Sequence, residues 1–238
     1  MRIIISGGNG NLATEIKKAN KEHEIMAPSK EELNVYSLED LLVHLNIFKP
    51  DVFIHTAALT RPMIKHITHS DISIKTNIIG TSNVVLACMK RNTKLIYIST
   101  DYVYPCTDGN YSEKDALLPV NEYAWSKLGG ECAVKLYKNS LILRMALCQQ
   151  PFPHPKALVD IKKSYLYMNE AAKMILKLIN EIGVINVGGE TMSPFEFAKK
   201  DNPNLKKISL NEVGDVKMGK DASMNINKMK TMLNDQSI

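Results

Sequence analysis

The sequence is poor in the features that mark specialised chains. Its 238 residues include four cysteines, one tryptophan and 6% aromatic residues. Cys88, Cys106, Cys132 and Cys148 form no C-x-x-C pair and no metal-ligand spacing. That excludes a disulfide framework or a zinc module, and no metal is expected. Three of the four, Cys88, Cys132 and Cys148, lie in apolar segments and read as buried free thiols of a reducing compartment. No apolar run approaches the roughly 18 residues of a membrane span. The first such run, Ile3-Ile4-Ile5, is too short for a signal peptide. No repeat of solenoid period is present. Charge of one sign is also missing, with 30 Lys and Arg against 25 Asp and Glu, a net +5. An excess this diffuse suits an anionic small ligand and does not point to nucleic acid. The expectation is a cytoplasmic protein with no membrane contact.

What is present is an alternation of short apolar runs with segments of helical period. Arg2–Ser6, His23–Ala27, Asp51–His55, Lys94–Ser99 and Ser140–Arg144 read as strands. Between them Asn11–Ala19, Leu38–Leu45, Ile72–Lys90 and Glu122–Tyr137 read as helices. Continuously apolar strands separated by helices imply parallel strands covered on both faces, hence a doubly wound α/β sheet. The pattern breaks at Pro151, Pro153 and Pro155. Residues 1–148 therefore read as a dinucleotide-binding domain. Residues 149–238 read as a small lobe with a helix near 168–180, a strand near 184–187 and no core of its own.

Gly7-Gly8-Asn9-Gly10-Asn11-Leu12-Ala13 lies between the first strand and the first helix. Glycine allows the tight turn and the approach of a diphosphate to the backbone, and the small Ala13 lets helix and strand pack closely. The helix N-terminus adds unpaired N–H groups and the positive end of its dipole. Gly7, Asn9, Gly10, Asn11 and Leu12 are thus candidate cofactor contacts. After the second strand stand Ser29 and Lys30 rather than the acidic residue that an NAD site usually places on the ribose. Both suit a 2′-phosphate, so NADP is favoured over NAD.

Tyr123 and Lys127 are spaced i and i+4 on one helix. A neighbouring ammonium lowers a phenol's proton affinity and fits Tyr123 as a general acid. Thr100 follows directly on a strand, and the carboxyl ends of strands line the ligand crevice. It is placed to hydrogen-bond a substrate carbonyl beside Tyr123. Asp101 and Tyr102 follow on the same turn and are candidate substrate contacts with it. Arg61, next to Pro62 after the third strand, is placed to reach an anionic substrate. His66 and His69 read as a solvated segment, and Trp125 as packing on the catalytic helix.

Taken together, the glycine turn, His55-Thr56-Ala57-Ala58, Thr76-Asn77 through Thr81, Ser99 through Tyr104, Tyr123-x-x-x-Lys127 with Gly130-Glu131, and Leu141 through Arg144 resemble the extended short-chain dehydrogenase/reductase family. The nearest likeness is to its nucleotide-sugar reductases of the dTDP-4-dehydrorhamnose reductase type. The resemblance implies a catalytic set of Thr100, Tyr123 and Lys127, with Ala57, Ala58, Asn77 and Ser99 along the cofactor. It implies reduction by NADPH of the 4-keto group of a 4-keto-6-deoxy nucleotide sugar, as in rhamnose biosynthesis. The partner would be a nucleotide-diphosphate sugar, and a homodimer is left open. Asp101 stands where epimerising relatives carry a cysteine, so no epimerase activity is expected, and Cys106 does not fill that place. Two departures concern the substrate side. The lobe is shortened near Gln149–Lys156, and Lys220–Asn225 lacks an arginine that relatives place on the diphosphate. The same likeness therefore carries an alternative, an NADP-binding regulatory subunit without catalysis, as in the methionine adenosyltransferase β subunit.

Overall fold

Three branched residues in a row, Ile3-Ile4-Ile5, favour extended backbone and bury completely. They form the centre of β1 (Arg2–Ser6), the strand from which the sheet winds in both directions. In this computed structural model, which describes residues 1–213 and 217–235, α1 (Asn11–Ala19) leads to β2 (Glu24–Met26) on one side. On the other, α2 (Leu38–Phe48) leads to β3 (Val52–His55). After β3 come two short helices, α3 (Lys65–Thr68) and α4 (Ser70–Ser73), a π-helical stretch Ile74–Ile79, and α5 (Gly80–Arg91). β4 (Lys94–Thr100), α6 (Glu122–Lys135) and β5 (Ser140–Cys148) complete the first half. The strand order β2-β1-β3-β4-β5 is wholly parallel and reverses direction between β1 and β3, the switch point where such sheets bind ligands. The doubly wound sheet expected from the sequence is present.

Side-chain alternation divides the core between the two faces. Ile3, Ile5, Val52, Ile54, Ile96 and Leu141 point to one face, where Ile16 of α1 packs. Ile4, Phe53, Leu95, Tyr97 and Ile142 point to the other, against Leu41 and Leu45 of α2 and Val84 and Cys88 of α5. Burying each of these branched or aromatic side chains is worth about 1.5–3 kcal/mol. The stretch Ser70–Arg91 is long and apolar enough to cross a membrane by length and composition, contrary to the reading that no segment approaches this. Its Asn77 and Thr81 are nonetheless fully buried against the protein.

The second half packs against the first and extends its sheet. β6 (Lys156–Leu158) is followed by β7 (Tyr165–Tyr167), which pairs with the upper end of β5. After α7 (Met168–Lys177), β8 (Gly183–Val187) pairs with the lower part of the same strand. Ala171, Ala172 and Ile175 of α7 join the same core as α1. Then α8 (Pro194–Lys199) precedes β9 (Lys206–Ile208), which pairs only with β6, and α9 (Asn227–Asp235) packs near β8. Phe195, Ala198, Leu205 and Ala157 make a small satellite core there. The strand predicted over Ser140–Arg144 runs on to Cys148, just before the proline break, and pairs with both β7 and β8. Two side chains also differ from expectation. Cys132 and Trp125 lie on outward faces of α6 and are exposed, whereas Cys106 is buried.

One polar thread crosses this apolar layer. Arg144 on β5, 1% exposed, pairs with Glu131 of α6, which also accepts a 2.8 Å hydrogen bond from Ser99 on β4. Arg144 further donates to the Tyr104 hydroxyl at 2.7 Å, and Tyr104 donates to Asn186 of β8 at 2.8 Å. Removing one member of such a buried pair leaves a charge without compensation. Arg144→Leu is therefore expected to cost about 3–5 kcal/mol in urea unfolding, and Arg144→Leu with Glu131→Leu to recover much of it. Equal losses in the single and double variants would contradict this.

Candidate active site

The turn after β1 is built for close approach. Gly7 has φ +70°, and a Cβ there would stand 3.0 Å from the Ala57 Cα of the neighbouring loop. Gly8 donates its N–H to the Pro28 carbonyl at 2.9 Å, and a Cβ on it would fall 1.9 Å from the Ala27 oxygen. The strand ends of β1, β2 and β3 thus meet at glycine backbone. Gly10 caps α1 without a side-chain acceptor. The first-turn N–H groups of Asn11, Leu12 and Ala13 therefore lack a capping side chain, as an anion receptor requires. Asn9 and Asn11 are exposed at this rim, while the Leu12 side chain is core and only its backbone faces the turn.

Ser29 and Lys30 stand at the end of β2, beside Gly8. Ser29 exchanges hydrogen bonds with Glu32, its N–H donating to the carboxylate at 2.7 Å and its Oγ accepting from the Glu32 N–H at 3.3 Å. The hydroxyl hydrogen remains available to an anion. The Lys30 ammonium lies 5.7 Å from the centre of the Tyr36 ring.

Below the loop after β3 runs a relay of buried polar groups. Thr81 donates to the Asn77 carbonyl at 2.8 Å, so its oxygen accepts from His55 Nε2 at 3.0 Å. His55 Nδ1 then accepts from the Ser6 hydroxyl at 2.7 Å. Burial, with the Lys127 charge second, pushes the His55 pKa down to about 3, which keeps this relay neutral. The Asn77 side chain exchanges two bonds with the Leu59 backbone, at 2.8 and 2.9 Å, and donates to Ser126 at 2.8 Å. The loop carrying Ala57 and Ala58 is thereby clamped to α6. Asn77 lies buried in a π-helical stretch, Ile74–Ile79, that interrupts the single helix predicted over Ile72–Lys90. Ser99, the other residue expected along the cofactor, gives its hydroxyl to Glu131.

Thr100 ends β4, and Tyr123 and Lys127 lie one turn apart on α6. Gly130 allows the helix to approach, since a Cβ there would stand 2.5 Å from the Asn77 oxygen and 2.6 Å from the Tyr97 hydroxyl. Tyr123 is half-buried, with the Thr100 hydroxyl near enough to favour its phenolate. Burial first and the Asp101 carboxylate second nevertheless push the Tyr123 pKa up to about 12, against Thr100 and Lys163. The expected lowering of this pKa by Lys127 is not found; the groups that lower it are Thr100 and Lys163. The Lys127 ammonium lies over the Tyr97 ring at 4.1 Å. Among the described residues it has no hydrogen-bond acceptor, and burial pushes its pKa down to about 7 despite Glu131.

The turn after Thr100 holds an ion pair that the sequence does not announce. Asp101 is buried and pairs at 2.8 Å with Lys163, which comes from the segment before β7. Its other oxygen accepts from the Thr100 hydroxyl at 3.0 Å. Tyr102 is half-buried beneath the Lys163 ammonium, and Arg61 is exposed at the mouth, near the Cys148 thiol. His66 also departs from its expected role as a solvated residue. It is buried, bonds Ser73 at 2.7 Å and packs its ring 5.2 Å from that of Tyr123, while His69 is exposed. Neither Lys163 nor His66 shares a motif or a helical face with Tyr123, so spacing carried no signal for them.

Comparison with known proteins adds three findings. Residues 1–150 match the family model described as RmlD substrate binding domain. The chain is 30% identical over 148 residues to a dTDP-4-dehydrorhamnose reductase of Aggregatibacter actinomycetemcomitans, covering 60% of this chain and 50% of that protein. It is 33% identical over 144 residues to methionine adenosyltransferase 2 subunit beta of Bos taurus, covering 56% of this chain and 42% of that one. The chain thus spans about half the length of the curated relatives it matches. Among solved structures, a dTDP-4-dehydrorhamnose reductase of Bacillus anthracis in complex with NADP superposes with TM-score 0.88 and 27% identity, covering 97% of this chain and 92% of that chain.

The buried Lys127 makes stability depend on pH. Its folded pKa, near 7, lies below the unfolded value near 10.5. Below about pH 7 both states hold the proton and the full burial penalty applies, at most about 5 kcal/mol. Between about pH 7 and 10 the folded state sheds the proton, and the penalty fades. Lys127→Met is expected to be stabilised relative to wild type at pH 6 and to lose that advantage by pH 10, read from thermal unfolding. An advantage that grows with pH would contradict it.

Proposed function

The chain belongs to the RmlD substrate binding domain family, and from that premise we propose that it is an NADPH-dependent reductase of the 4-keto group of a 4-keto-6-deoxy nucleotide sugar. The observation that carries the reading is the meeting of Thr100 and Tyr123 at the carboxyl end of the sheet. Lys127 stands one turn along, with a buried ammonium that has no acceptor among the described residues. Residues of this chain fit NADP on three counts. The glycine turn brings bare backbone against the end of β2, where a Cβ at Gly8 would strike the Ala27 oxygen at 1.9 Å. The first turn of α1 is uncapped by side chains. Ser29 and Lys30 follow β2 and suit a 2′-phosphate, and the similar reductase of Bacillus anthracis was solved in complex with NADP.

In this reading Gly7, Asn9, Gly10, Asn11 and Leu12 hold the diphosphate, and Ala57, Ala58, Asn77 and Ser99 form or brace the wall along the nicotinamide. NADPH bound there supplies hydride to carbon 4 of the sugar. Tyr123 gives its phenolic proton to the carbonyl oxygen, which becomes the hydroxyl. Thr100 turns its hydroxyl from Asp101 towards that oxygen and orients it. Lys127 exchanges its ring contact for the ribose hydroxyls, and its charge then favours the phenolate left on Tyr123. Arg61 at the mouth meets the diphosphate, with Asp101 and Tyr102 beneath the sugar. Residues 1–148 carry the cofactor and 149–238 close the substrate side. A cytoplasmic location and a homodimer belong to the same proposal.

The regulatory reading remains the alternative because of the likeness to methionine adenosyltransferase 2 subunit beta, of similar extent and identity. Loss of NADPH absorbance with dTDP- and UDP-4-keto-6-deoxyglucose, with and without an added 3,5-epimerase, separates the two. Turnover is expected, and Tyr123→Phe is expected to lower kcat about 100-fold or more while NADPH affinity stays within a few-fold. Tight NADPH binding without turnover on either nucleotide would overturn the reductase reading in favour of the regulatory one.

A further inference from the structure

Lys163 lies outside the residues that carry the family likeness, yet its side chain ends inside the candidate active site. Its backbone is held on both sides by Met192, N–H to oxygen and oxygen to N–H, each at 3.1 Å. Its ammonium is buried among three partners. These are the Asp101 carboxylate at 2.8 Å, the Tyr102 ring with its centre at 3.5 Å, and the Tyr165 ring at 5.3 Å. A buried ion pair is a poor means of adding stability, because desolvation offsets most of the attraction. This one is joined to the reacting groups. Asp101 takes the Thr100 hydroxyl hydrogen at 3.0 Å, and the Thr100 oxygen accepts from the Tyr102 N–H at 3.3 Å. Thr100 in turn stands beside Tyr123.

We propose that Lys163 is a positioning residue of this site: through its pair with Asp101 it aims the Thr100 hydroxyl and sets the charge that Tyr123 faces. The C-terminal half of the chain thereby governs a proton donor carried by the first half. The kinetic consequence rests on the reductase reading, while the electrostatic one does not.

The groups facing Tyr123 define what the test must separate. Asp101 and Tyr102 come from the turn after β4, and Lys163 from the segment before β7. Tyr97 approaches from β4 and His66 from α3. Lys127, on the same helix, is turned onto Tyr97. Only Asp101 and Lys163 form an ion pair with each other, so removing one exposes the other's full effect.

The test is ionisation of Tyr123, read as ultraviolet tyrosinate absorbance within milliseconds of an alkaline jump and before global unfolding. Each protein is compared with its own Tyr123→Phe partner. Lys163→Met leaves Asp101 uncompensated and is expected to move the titration upward from that of wild type, by about one pH unit. Lys163→Arg is expected to keep it in place. Lys163→Met with Asp101→Asn removes both charges and is expected to return it towards wild type. Should Lys163→Met fail to fold, Lys163→Gln keeps a donor for Asp101 without the charge and is expected to move the titration the same way. A Tyr123 titration that stays in place without the Lys163 charge would overturn the proposal. The measurement needs no substrate. A shifted titration in a protein without turnover would sink the reductase reading alone, and an unshifted one in an active enzyme would sink this inference alone.

Discussion

The buried pair of Glu131 and Arg144 is the contact on which the rest of the architecture depends. Its two carboxylate oxygens hold Arg144 of β5 and Ser99 of β4, so the helix carrying Tyr123 and Lys127 is tied to two adjacent strands. Arg144 continues through Tyr104 to Asn186 of β8, which in turn bonds the Tyr111 carbonyl. One charged group thus links α6, the centre of the sheet and the second half of the chain. Desolvation makes such a pair a weak source of net stability, but it strongly penalises any arrangement that leaves either partner alone. Its effect is to specify one position of α6 over the sheet. Gly130 and the Tyr97 hydroxyl, which donates to the Lys127 carbonyl at 2.9 Å, complete that placement.

The site makes use of two buried lysines in opposite conditions. Lys127 faces an aromatic ring and lacks an acceptor among the described residues, and burial lowers its pKa to about 7. Lys163 faces a carboxylate and two rings, and Asp101 holds its pKa above the usual range against the burial that opposes it. The first is free to engage a ligand, while the second is committed to the protein. Between them Tyr123 is more strongly protonated than an ordinary tyrosine.

Much of this was legible in the sequence because it is local. Ile3-Ile4-Ile5, Phe53-Ile54 and Leu95-Ile96 announce buried parallel strands by their apolar continuity, and the glycine turn announces the switch point by its position. Tyr123 and Lys127 share a helix turn, so their spacing is itself the signal. The parts that were not legible arise from contacts between distant segments. β7 is a three-residue strand, too short to announce itself, that pairs with the upper end of β5. Asn77 looks like one polar residue in an apolar helix, yet in the fold it lies in a π-helical stretch and bonds the Leu59 backbone. Lys163 follows another lysine and belongs to no motif, and only the fold brings it to Asp101, more than sixty positions earlier. Cys132 and Trp125 sat among apolar neighbours in sequence but on the outer face of α6.

The central claim is that the groups at the end of the sheet form one dinucleotide-dependent proton-transfer site. A crystal structure with NADPH tests it most directly. The account predicts the diphosphate on the backbone of Gly8 to Leu12 and the nicotinamide ribose within hydrogen-bond distance of Tyr123 and Lys127, with the Lys127 ammonium drawn off the Tyr97 ring. A dinucleotide seated elsewhere, or one that leaves Lys127 on Tyr97 and Tyr123 without contact, would contradict it.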